Sequence, residues 1–448
     1  MTANGTTLSR AGKLGWIICA ASAPTLMLAL ITGCVTKSPR PPEKSVSFAA
    51  SLPALIAAGD SAGIARGAKA ECASARAPSD CYEKLAVSLA ESGNVRLAMG
   101  TFNRLGDLDE GIRRDGHVYA HAIGITAGKA VRDVAAAFTQ CTETFQSGCY
   151  HGIVQAYFSS ADSVGKTSVN ALCEPFRAKP SDRWIRFQCV HGMGHGLTMY
   201  YSHNLPQSLK ACDFLAEWWD RHSCYGGAFM ENIVNVTMPH HPAKALKDTA
   251  AAHGEHADHH ADASPVAYKA IDAADPLYPC SALPERYLPA CYEMQTSVIL
   301  YHNKGNIGAA AKTCDTAPVA MRSVCYKSLG RDISAYSAQN HAEAVRMCSL
   351  GTEKYQRWCY YGLVKNFIDL NARAEDGLAF CRKVPEGPSK VVCYTAVGEQ
   401  VMVLRTTADE RRSLCELSED AYKSACLYGA EVVTVPPPAL AEVWKSSK

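Results

Sequence analysis

The chain has 448 residues, and its 45 Lys and Arg against 43 Asp and Glu leave it nearly neutral at +2. That balance removes the electrostatic ground for nucleic-acid binding, which rests on an excess of basic groups. Cysteine is the unusual residue. There are 20, a number that points to disulfides in an oxidising compartment or to metal ligation.

In chain order the first element is an address rather than part of a fold. Met1 to Lys13 carries Arg10 and Lys13 as its only charges, and Leu14 to Leu30 is uncharged and mostly apolar. That run falls short of the ~20 apolar residues of a membrane span, contains Pro24 and stops at small residues, and no other segment approaches a span. It ends at Ile31-Thr32-Gly33-Cys34, which resembles the lipobox of bacterial lipoproteins. The resemblance implies that 1–33 is a signal peptide, that Cys34 is lipidated, and that 34–50 is a linker. It also implies a lipid-anchored protein of the cell envelope. Val35, rather than Asp, after the cysteine implies the outer membrane under the enteric sorting rule, facing the periplasm or the cell surface.

With Cys19 removed and Cys34 acylated, 18 cysteines remain, in nine close pairs: Cys72 and Cys81, Cys141 and Cys149, Cys173 and Cys189, Cys212 and Cys224, Cys280 and Cys291, Cys314 and Cys325, Cys348 and Cys359, Cys381 and Cys393, Cys415 and Cys426. Spacings of 8 to 16 residues contain no C-x-x-C pair, so disulfides are expected rather than metal. First members recur every 33 to 34 residues at Cys280, Cys314, Cys348, Cys381 and Cys415. A fixed period of that size marks a helical solenoid. Strand patterns of period two do not recur. The expected fold is therefore all-α, a repeat array over 51–434.

Most second cysteines are followed by tyrosine, as in Cys325-Tyr326-Lys327-Ser328-Leu329-Gly330, where Tyr326 and Leu329 share a helix face. With the period, this resembles the tetratricopeptide repeat, although its helix-breaking proline is not consistently present and Leu-Gly is clear only here. The resemblance implies helix-turn-helix units in which each disulfide ties the end of one repeat's second helix to the start of the next repeat's first. Loops this short give roughly 3 kcal/mol per bridge in the chain-entropy model.

Two places break the rhythm. Between Cys81 and Cys141 there is room for a repeat without cysteines, its first helix beginning near Asp115-Gly116-His117. Between Cys224 and Cys280 an insertion of about 235–267 carries His240, His241, His253, His256, His259 and His260. Residues 435–448 read as a C-terminal tail.

Alignment on the cysteines places His117, His151 and His191 two residues after that position, and His121, Gln155 and His195 six residues after it. Residues four apart share a helix face, and the tetratricopeptide resemblance implies that both positions line the concave groove. Imidazoles grouped in this way are ligands for zinc, copper or iron; haem is less favoured, because no C-x-x-C-H motif exists. His151, His191 and His195 form the expected core of the metal site, with Glu231 as a further ligand and Asn232 beside it. His117 and His121 join only if the array curves tightly, and otherwise form a second site. Gly152, Gly192, Gly194, Gly196, Gly226 and Gly227 crowd the same helices. Each costs a helix roughly 1 kcal/mol relative to alanine, so close helix approach or a ligand against the backbone is expected.

Gly59-Asp60-Ser61-Ala62-Gly63 fits G-x-S-x-G, but a nucleophile elbow needs a preceding strand, and a helix cap is the expected role. Three functions fit the sequence: a metalloprotein, enzymatic or metal-carrying; a solenoid presenting its groove to a protein or peptide; and an envelope scaffold, which leaves the histidine register unexplained.

Overall fold

The computed structural model describes residues 47–177, 183–237 and 268–445. The leader, Cys34 and nearly all of the His-rich insertion lie outside these residues. Among the described residues the chain is helical, with no strand and one isolated bridge between Asp272 and Asp275. No helix among them is long and apolar enough to cross a membrane.

Long and short helices alternate. Seven long helices carry a second cysteine within their first two turns: Pro78–Glu91, Gly148–Ser159, Arg183–Tyr200, Trp218–Thr237, Val319–Tyr336, Glu353–Asn371 and Pro388–Leu404. Glu110–Ala130 is the long helix of the repeat that lacks cysteines. Shorter helices such as Leu205–Cys212, His341–Cys348 and Ala374–Cys381 end on the first cysteines. All nine expected disulfides are present; seven join the end of a short helix or its following turn to the next long helix, while Cys280–Cys291 and Cys415–Cys426 end in the short helices Leu288–Tyr292 and Lys423–Gly429. The tyrosines after the second cysteines are buried beneath them. Some reach back to an acidic residue just past the first cysteine, as Tyr326 does to Asp315 at 3.0 Å and Tyr225 does to Asp213.

Caps fix the short helices. Asn94, Asn204, Asn306 and Asn340 each accept a backbone N–H three residues on, as N-cap residues do. The Asp60 side chain caps Ser61–Cys72, so Gly59 to Gly63 is a helix start, as expected.

Long helices pack against long helices in sequence, except between Trp218–Thr237 and Val319–Tyr336, where the short helices Leu288–Tyr292 and Gln295–His302 bridge the two. Glycines set how closely they approach. A methyl group on Gly124 would overlap the Cys149 carbonyl, and one on Gly152 would overlap that of His121. The same reciprocal contact recurs between Gly194 and Gly227, Gly330 and Gly362, and Gly398 and Gly429. Reciprocal glycine contacts thus hold four pairs of neighbouring helices at backbone distance, Gly192 and Gly196 press against Gly148–Ser159 as well, and the glycine density noted in the sequence has close approach as its cause.

The long-helix layer lies on the inside of a curve, because contacts across the array involve it. Gln146 donates to Asn366 at 2.9 Å, and Arg183 reaches Met402. Between 435 and 445, the stretch read as a tail, helix Pro438–Lys445 buries Leu440 and Val443 and packs on Pro388–Leu404.

Candidate metal centre

Three successive long helices bring the histidines together. His117 and His121 come from Glu110–Ala130, His151 from Gly148–Ser159, and His191 and His195 from Arg183–Tyr200. The rings form one cluster. His117 to His121 is 4.5 Å between centroids, His151 to His191 is 5.0 Å, His191 to His195 is 5.2 Å, and His121 to His195 is 5.2 Å. His117 and His121 were expected to join His191 and His195 only if the array curved tightly. Close approach on both sides of Gly148–Ser159, at Gly124 and Gly152 on one and at Gly192 and Gly196 on the other, brings His121 into ring contact with His195.

The packing also shifts the register of one histidine. Gly152 lies against the His121 carbonyl as Gly227 lies against that of His191. His121, rather than His117, is therefore the structural equivalent of His151 and His191, and His117 stands one turn earlier. Alignment on Gly124 instead of on the cysteine this repeat lacks would have found the equivalence.

The imidazoles are held by their outer nitrogens. His117 Nδ1 lies 2.8 Å from the Phe145 carbonyl oxygen. His121 Nδ1 lies 2.9 Å from Gln155 Oε1, and Gln155 Nε2 in turn donates to Glu231 Oε2 at 3.2 Å. A reversed Gln155 amide would set its oxygen against that carboxylate, so the amide orientation is fixed and His121 Nδ1 carries the proton. His195 Nδ1 donates to Glu231 Oε2 at 2.8 Å, His151 Nε2 meets Gln188 Oε1 at 3.0 Å, and His191 hydrogen-bonds the Ser223 backbone.

A neutral imidazole that donates at one nitrogen offers a lone pair at the other. The remaining nitrogens of His151 (Nδ1) and His195 (Nε2) are buried with no hydrogen-bond partner among the described residues. Those of His117 and His121 face each other, Nε2 to Nε2, at 3.0 Å. Two lone pairs at that distance repel unless a proton or a cation lies between them.

Burial, reinforced by neighbouring imidazoles, holds the pKa of His121, His151 and His191 well below the ordinary histidine value. They are therefore neutral, the form that binds metal. Two sets of three, His117 with His121 and His151, and His151 with His191 and His195, each place one ligand nitrogen per residue within 4.8 Å of the others. Three nitrogens sharing one ion at about 2.0–2.1 Å lie roughly 3.4–3.6 Å apart, so the rings of either set would draw together by up to about an ångström to bind it. These buried clusters can hold a metal ion.

Glu231 was expected as a ligand. Its buried carboxylate instead lies behind His195 and Gln155, with Oε1 3.6 Å from His203 Nε2. Gln155, Gln188 and His203 were not anticipated as parts of the site. Gln155 had a visible signal, since it occupies the repeat position of His195, whereas nothing in the sequence marked Gln188. Asn232 faces away from the cluster, donating to the Ala270 carbonyl. The insertion's histidines lie outside the described residues.

Compared with known proteins, the chain matches no family model, no curated protein and no solved structure.

Proposed function

We propose that the protein binds a transition-metal ion, zinc, copper or iron, within the long-helix layer, with His151, His191 and His195 as its ligands. The observation that carries this reading is the orientation of the rings. Oxygen acceptors hold the outer nitrogens, while buried nitrogens of His151 and His195 are left without a partner. Metal-binding histidines show this arrangement, the outer N–H bonded to a carboxylate, carbonyl or amide oxygen that fixes the tautomer. Glu231 is best assigned as the outer carboxylate for His195 rather than as a ligand. His117 and His121 extend the same cluster and offer a second set of donors. Three imidazoles with an open position suit a site that meets a small molecule or passes the metal on.

We further propose that the array is a tetratricopeptide-like solenoid tethered to the bacterial envelope through a lipid on Cys34. This rests on the Ile31-Thr32-Gly33-Cys34 sequence and on the nine disulfides, which belong to an oxidising compartment.

The test is metal content in protein purified without a His-tag, for three forms: wild type, a variant lacking 238–264, and His191→Ala/His195→Ala. Stoichiometric metal in the first two and its loss in the third supports the site. Absence of metal from all three, after refilling with zinc, copper and iron under suitable redox conditions, rejects it.

A further inference from the structure

Away from the histidines, the curve brings distant repeats together around a cavity of about 350 Å³. Five arginines line it: Arg177, Arg183 and Arg186 from one side of the seam, Arg405 and Arg411 from the other. Guanidinium groups stay charged in proteins, so this grouping is repulsive unless anions offset it.

Protein carboxylates offset part of it. The fully buried Asp220 accepts from Arg177 at 2.7 Å and from Arg186 at 2.6 Å, and both arginines also reach Glu217. Those two acids are thereby engaged. The other three arginines make no ion pair among the described residues, Arg405 having only the longer-range attraction of Glu410. Arg183 donates to Met402 Sδ, Arg405 to the Leu404 carbonyl, and Arg411 to the carbonyls of Ala430 and Thr406. Nε of Arg186 and Nε of Arg411 are buried without a hydrogen-bond partner. Arg183 and Arg186 also lie over the Trp219 ring, at 5.4 and 5.6 Å, which holds both heads at the cavity wall. Glu431 is the remaining acid on the lining, one carboxylate for three unpaired guanidiniums.

We propose that this cavity binds a small, soluble oxyanion of the phosphate type carrying at least two negative charges, held from both sides of the seam. Guanidinium forks bond phosphate oxygens in pairs. The donors here arrive from separate helices, which suits a tetrahedral set of oxygens better than one planar carboxylate. A ligand held by Arg183 and Arg405 together also ties the two sides of the curve to each other. The inference is independent of the metal site.

The probe is inorganic pyrophosphate, titrated calorimetrically into the full chain in phosphate-free buffer, with citrate, a tricarboxylate of similar charge, as the carboxylate comparison. The variant is Arg183→Ala/Arg405→Ala, which removes no ion pair; Arg405→Ala alone serves if the double variant melts early. Expected are one pyrophosphate per chain, a raised melting temperature, and affinity at least roughly tenfold weaker in the variant, as for lost charge-assisted hydrogen bonds. No pyrophosphate binding, equal binding by the variant, or citrate binding as tight as pyrophosphate would overturn the proposal. So would binding confined to phosphatidylglycerol vesicles, which would make the ligand a lipid headgroup.

Discussion

Glu231 accepts from His195 Nδ1 at 2.8 Å, and by doing so turns His195 Nε2 toward the other imidazoles. The same oxygen accepts from Gln155, which fixes the amide that orients His121. One buried carboxylate therefore sets the tautomers of rings on two different helices. Replacement Glu231→Gln should weaken metal binding by about 10- to 100-fold, the usual effect of losing an outer-shell partner, while the helical signal stays unchanged. Unaltered affinity, measured by competition with a chromophoric chelator, would rule out this positioning role.

The glycine contacts give a stability prediction with two signs. Gly362→Ala places a methyl group in the Lys327 carbonyl, with only backbone to move aside, and should cost about 1–3 kcal/mol or more. Gly100→Ala, within helix Val95–Leu108, meets nothing closer than 3.9 Å and should stabilise by about 0.5–1 kcal/mol. Urea denaturation of the two variants against wild type decides; equal and small effects would show that the helices are not held at backbone contact.

Metal-free protein should lose stability as pH falls. His121, His151 and His191 resist protonation when folded because they are buried, whereas the unfolded chain takes up those protons from about pH 6.5 downward. Below that value the unfolded state binds more protons, so unfolding free energy decreases with decreasing pH. Denaturation midpoints at pH 8 and pH 5 should differ in this direction, and His151→Gln should reduce the difference. A midpoint as pH-sensitive in His151→Gln as in wild type would remove His151 from the account.

Non-reducing peptide mapping should return the nine sequential disulfides, from Cys72 with Cys81 to Cys415 with Cys426. A linkage between distant repeats, or free thiols among these eighteen, would contradict the repeat architecture.

Much of the fold was legible because cysteine spacing survives as a ruler when the rest of the repeat varies. The period and the disulfide pairing follow from it, and the helix-turn-helix alternation came with the tetratricopeptide resemblance that the period supports. The ruler failed where it had no marks. The repeat at Glu110–Ala130 lacks cysteines, and its histidines were placed one turn out of register. The site was legible as residue types but not as one cluster. Ring contact between His121 and His195 depends on close approach at Gly124, Gly152, Gly192 and Gly196, and the sequence shows glycine without saying what it touches. Glu231 drew attention as a carboxylate near the groove, yet its place behind His195 depends on the rotation of a helix, which spacing alone does not fix.

From Glu110–Ala130 onward the reciprocal glycine contacts couple neighbouring helices two by two, on both sides of the irregular segment Leu288–His302. The smallest interchangeable piece of this architecture is then a double repeat. Removing one repeat from a couple would leave a partner with a bare glycine groove and nothing to fill it, whereas removing both would bring intact surfaces together. Shorter or longer versions of this array, natural or designed, should therefore differ by an even number of repeats.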